Sequence, residues 1–93
     1  MTKPYKHQRV LDFVNRIRKR LGKKPLKRLP KGCTDNVARC PIARGVGSRV
    51  FVNVTQITIP NGARRRTVVA YSPKYIVRFI KRFDRGDYPE LVK

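Results

Sequence analysis

Pro60-Asn61-Gly62 stands between two runs rich in β-branched residues, Val50 to Ile59 and Arg66 to Tyr71, and no other feature limits the fold of this chain so tightly. Proline presets the first turn position, asparagine suits the second, and glycine accepts the left-handed conformation that closes a three-residue loop. The spacing therefore predicts a β-hairpin. With Ile59 opposite Ala63, the register pairs Ile57 with Arg65, Thr55 with Thr67, Asn53 with Val69 and Phe51 with Tyr71. The opposite face then carries Val50, Val52, Val54, Val68 and Ala70 at the root and Gln56, Thr58, Arg64 and Arg66 toward the tip. The expected hairpin has an apolar root and a cationic tip.

On either side the apolar spacing lengthens to the helical period. From Lys6 to Leu21, residues Val10, Phe13, Val14, Ile17 and Leu21 form one stripe, with Arg9, Arg16, Lys19 and Arg20 on the other side and Gly22 placed to end the helix. Ser72-Pro73 offers a hydroxyl cap followed by proline at the first helical position. Tyr75, Ile76, Phe79, Ile80 and Phe83 follow at helical spacing, Lys74, Arg78, Lys81, Arg82 and Arg85 take the opposite face, and Gly86 stops the helix. Pro25, Pro30 and Gly32 exclude a long helix over residues 22–32, which reads as an extended basic arm pinned by Leu26 and Leu29. Thr34 or Asp35 offers an N-cap for a short helix reaching about Arg44, with Pro41 either interrupting it or marking its first turn. Residues 87–93 form a tail. The predicted fold is one small α+β domain over residues 1–93, in the order helix, arm, short helix, β-hairpin, helix.

Only 93 residues are available, so the core is small, and the aromatic residues are expected to fill it. Phe51 and Tyr71, which face each other on the hairpin, could stack on unpaired bases, but the favoured reading has them covered by one helix while the valine face of the hairpin meets the other. Phe13, Tyr75, Phe79 and Phe83 belong to the core on the same grounds.

Charge points to a partner. Lys and Arg number 24 against five Asp and Glu, a net charge of +19. Arg16, Arg18, Lys19, Arg20, Lys23, Lys24, Lys27, Arg28 and Lys31 fall within sixteen residues that contain no acid, whereas Asp84, Asp87 and Glu90 gather near the other end. Such an excess repels itself in water and favours a polyanion, of which nucleic acid is the commonest in a cell. Arg16, Lys19, Arg20, Lys23, Lys24, Lys27, Arg28 and Lys31 are the candidate phosphate clamps, and Arg64, Arg65 and Arg66 at the hairpin tip are candidates to reach a groove. Double-stranded DNA is slightly favoured over RNA because neither an aromatic strand signature nor a GXXG loop is present. Phosphate contacts carry no sequence information, so low specificity is expected. The alternative is an effector that binds an acidic host protein.

Other classes fare poorly. One histidine and five scattered carboxylates offer no grouping for acid–base or nucleophilic catalysis, so no enzyme is expected. Gly45-Val46-Gly47 lacks the Gly-Lys-Ser/Thr element of a phosphate loop. Cys33 and Cys40, with His7 far upstream, supply at most three soft ligands where structural zinc wants four, so neither metal nor cofactor is expected. No apolar run is long enough for a membrane span or secretory signal, which predicts a cytoplasmic protein with no membrane partner.

Cys40-Pro41-Ile42-Ala43-Arg44, running into a glycine turn and a strand, and the segment FIKRFDRGDYPEL from Phe79 to Leu91 together resemble small uncharacterised proteins of actinobacteria and their phages. The resemblance covers about the C-terminal half of the chain. It implies an intracellular, phage-type setting, in the host cytoplasm, and brings no activity with it. The lysine and arginine excess is not part of the shared motifs.

Overall fold

Among the described residues, three helices and a three-stranded antiparallel sheet form the α+β fold. The structure, a computed structural model, describes residues 5–93 apart from Asp35, Val37, Ala38, Ser48, Val54, Ala63 and Arg64. In chain order the elements are α1 (Gln8–Arg20), α2 (Pro41–Val46), β1 (Phe51–Val52), β2 (Gln56–Pro60), β3 (Arg66–Tyr71) and α3 (Lys74–Arg85), followed by a single 3-10 turn, Pro89–Leu91. Val10, Phe13, Val14 and Ile17 of α1 and Ile76, Phe79, Ile80 and Phe83 of α3 are buried, as their periodicity requires. They meet Ile42 and Val46 of α2 and Val50, Val52 and Ile57 of the sheet in one core. Gly86 closes α3 in the left-handed region, at φ 92°, where a Cβ would be strained.

The sheet departs from the expected hairpin in three ways. The run Val50 to Ile59 is two strands, because the Asn53 Oδ1 accepts from the amides of Thr55 and Gln56, each at 2.8 Å, and folds the chain back on itself. The connection at the tip runs from Asn61 to Arg65, with Pro60 opposite Arg66, so Ile59 faces Thr67 and Ile57 faces Ala70. A bulge between Thr58↔Val68 and Ile57↔Ala70 leaves Val69 unopposed on β3. The expected pairing of Phe51 with Tyr71 is therefore replaced by Phe51↔Thr58 and Gln56↔Tyr71. The expectations resting on Asp35, Val54, Ala63 and Arg64 lie outside the described residues.

Only one face of this sheet is covered. Val52 and Ile57 point into the core, while Phe51, 39% exposed, and Tyr71, 76% exposed, stand on the outer face together with Val68. The expectation that both aromatics are core, with the hairpin packed between helices, is thus overturned. The bulge is the reason for Val68: it puts Val68 and Ala70 on opposite faces instead of one.

Two smaller expectations also change. Cys40, not Thr34, caps α2: its Sγ accepts from the Ala43 amide at 3.4 Å, and Pro41 takes the first turn. Ser72 does not cap α3. Its hydroxyl donates to the Asn53 carbonyl at 2.9 Å, tying the strand end to the β1–β2 turn.

The arm is strapped down along its length. Asn15 on α1 exchanges two hydrogen bonds with the backbone of Leu26, at 3.0 and 2.7 Å, and the Tyr5 hydroxyl accepts from the Leu29 amide at 3.2 Å. The far end of the chain then closes over it. Gly32 donates to the Leu91 carbonyl at 2.8 Å and accepts from the Lys93 amide at 2.9 Å, forming a parallel bridge with Val92. A Cβ at Gly32 would overlap the Arg39 carbonyl oxygen and lie 2.7 Å from the Pro41 nitrogen. Backbone meets backbone here, and only glycine fits.

Candidate nucleic-acid interface

Fixing the arm's backbone leaves its cations in water. Lys24, Lys27, Arg28 and Lys31 are exposed, on a segment whose main chain is held by Asn15, Tyr5 and the tail. A clamp of this kind gives up little backbone entropy when it binds. Arg18, between α1 and the arm, is structural: its Nε donates to Lys24 O and its Nη1 to Gly45 O, both at 2.7 Å. Lys23 is exposed as a residue, yet its Nζ donates to Val46 O at 2.7 Å, placing a cation at the C-terminus of α2 where the helix dipole favours it.

Arg16, Lys19 and Arg20 are exposed on α1. Arg16 and Arg20, with Phe13 and Ile17, form one wall of a 360 Å³ groove whose other wall is Val68 to Tyr71 of β3. β3 is an edge strand, and the bulged Val69 turns its carbonyl into this groove, where Arg20 Nη1 donates to it at 3.3 Å.

Of the arginines at the hairpin tip, Arg65 is exposed, and Arg64 lies outside the described residues. Arg66 is held against the sheet: its Nε donates to Thr58 Oγ1 at 2.9 Å, its Nη2 donates to Thr58 O and to Arg49 O, and its guanidinium sits over the Phe51 ring. The charge is still at the surface, but it does not extend from the tip.

The sequence placed a second set of cations on α3 without marking them as a site. Lys74, Arg78, Lys81, Arg82 and Arg85 line a groove of 580 Å³. Arg78 also lines a smaller groove with Lys6 and Arg9, and Lys6 in turn lines one with Arg28 and Lys31. The shared residues join α3, the start of α1 and the end of the arm into one cationic track. Its signal was present in the helical spacing of the α3 cations.

Some of the few carboxylates are engaged near the tail. Ion pairs join Lys6 and His7 to Glu90, at 3.4 and 3.0 Å, and Arg85 to Asp87. These particular pairs do not involve a candidate clamp. The Glu90 carboxyl is held below its ordinary range by its own backbone amide first, then by His7 and Lys6, and Asp87 by its bond from Arg85. No helix among the described residues is long and apolar enough to cross a membrane. No family pattern, characterised protein or solved structure matches this chain.

Proposed function

We propose that this protein binds nucleic acid through its phosphates, with DNA slightly ahead of RNA and with little sequence specificity. The observation that carries the reading is the cationic track from α3 through Arg78, Arg9 and Lys6 to Arg28 and Lys31, in a chain of net charge +19. Lys24, Lys27, Arg28, Lys31, Arg16, Lys19 and Arg20 act as phosphate contacts, with Lys23 shared between the fold and the ligand. The role is binding, not catalysis. A phage-type setting in a host cytoplasm is part of the same proposal and rests on the Cys40–Arg44 and Phe79–Leu91 motifs.

Displaced counterions give such binding a steep salt dependence: six phosphate contacts lose about a thousandfold in affinity between roughly 50 and 200 mM salt. A titration of labelled DNA across that range tests the reading, and an affinity indifferent to salt overturns it. The open edge of β3, flanked by Arg16 and Arg20, also suits an extended acidic segment of a host protein. Capture from lysate treated with nuclease separates the two, since only a protein partner survives that treatment.

A further inference from the structure

The outer face of the sheet is uncovered, and it carries aromatic rings beside arginines. Tyr71 is 76% exposed at the rim of the groove that holds Arg16 and Arg20. Across the sheet, Phe51 lies under the Arg66 guanidinium at 3.7 Å, and three hydrogen bonds from Arg66 to Thr58 and Arg49 fix that group in place. Both features are flat and exposed at the surface, and the second is braced by those hydrogen bonds. They suit a partner that alternates flat apolar rings with anions, which describes a polynucleotide; an acidic peptide offers the anions without the rings.

We propose that this face is a stacking platform for one unpaired DNA strand, with bases on Tyr71 and on the Phe51–Arg66 pair and phosphates at Arg16 and Arg20. The proposal rests on the nucleic-acid reading above and narrows it to a single strand. Geometry selects against duplex. β1 and β3 are separated by β2, and Phe51 and Tyr71 pair with Thr58 and Gln56, two residues apart along it, so their backbones stand about 12 Å apart, from strand spacings of about 4.8 Å and a rise of about 3.3 Å per residue. A base inside a duplex has both faces covered by neighbours about 3.4 Å away, so only an unstacked base of an unpaired strand can lie on either platform. Arg20 spends one N–H on Val69 O and keeps the others for a phosphate.

The test compares wild type, Tyr71→Ala and Tyr71→Phe on labelled oligothymidylate and on a duplex of the same length, at one low salt concentration. Tyr71→Ala is expected to weaken single-strand binding about fivefold or more, the loss of one stacked base, while Tyr71→Phe retains it and duplex binding is unchanged. An exposed ring can be truncated without unfolding the chain, which a melting curve of each variant verifies. Equal single-strand affinity of Tyr71→Ala and wild type overturns the platform, as does tighter binding of duplex. If salt-dependent DNA binding persists with no role for Tyr71, the phosphate reading stands and the platform falls. If neither DNA binds, both fall.

Discussion

The guanidinium of Arg66 sits 3.7 Å from the centre of the Phe51 ring, so a residue expected to extend from the hairpin tip covers the middle of the sheet instead. Its hydrogen bonds shield Thr58, which is buried beneath it, and brace the carbonyl of Arg49, a non-glycine residue in the left-handed region at φ 59°. Lysine carries the same charge without the planar fork. Arg66→Lys is expected to lose about 1 kcal/mol in urea unfolding, the scale of an exposed cation–π contact with its hydrogen bonds. An unchanged unfolding midpoint would show that the stack is ornamental.

At Gly32 the space for a Cβ is taken by backbone atoms of residues 39–41. Gly32→Ala forces the arm away from the Arg39–Pro41 backbone and is expected to cost about 1–3 kcal/mol, the usual range for overpacking a site that cannot relax. Amide exchange at residue 32 and at Lys93 should speed up together in this variant, since the first donates to the Leu91 carbonyl and the second to the carbonyl of residue 32. Retention of wild-type exchange at both positions would contradict the strapped arm.

Glu90 makes the docking of the tail sensitive to acid. Its carboxyl binds a proton less readily folded than unfolded, so the stabilisation is fully present above the ordinary carboxylate value of about 4.3 and is lost as pH falls through the lower folded value. Thermal midpoints measured from neutral pH downward should fall below about pH 4, and Glu90→Gln should remove part of that dependence. A Gln variant with the same acid profile would assign the effect to other carboxylates.

Cys40 and Cys33 should separate cleanly by reactivity. Burial pushes the Cys40 thiol up, and its sulfur already accepts from the Ala43 amide, whereas Cys33 is half-buried. A thiol reagent at neutral pH is expected to modify Cys33 in the native protein and Cys40 only when the chain unfolds. Rapid native modification of both would mean that α2 opens far more readily than its buried residues imply.

The long helices were legible because each has a stripe of apolar residues at 3.6 spacing with cations behind it and a glycine at its end. The sheet was less so. Asn53 sits in a valine-rich run that reads as continuous strand, and its turn depends on one side chain bonding the amides of Thr55 and Gln56. Alternation placed Phe51 and Tyr71 on one face, which is where they are, but it does not say which face the helices cover. The bulge at Val69 then moved Val68 out of the set expected inside. At the candidate interface the exposure of Lys24, Lys27, Arg28 and Lys31 was readable from charge, whereas the commitment of Arg66 and Lys23 to backbone carbonyls depends on where distant segments settle.

The bridge between Gly32 and Val92 also orders events in time. Because the arm finds its last backbone partners in residues 91 and 93, its final docking must wait until the ribosome has translated those codons. Until then the emerging polypeptide presents its basic segment with the anchors from Tyr5, Asn15 and Arg18 in place but without its C-terminal partners, beside a strongly anionic ribosome.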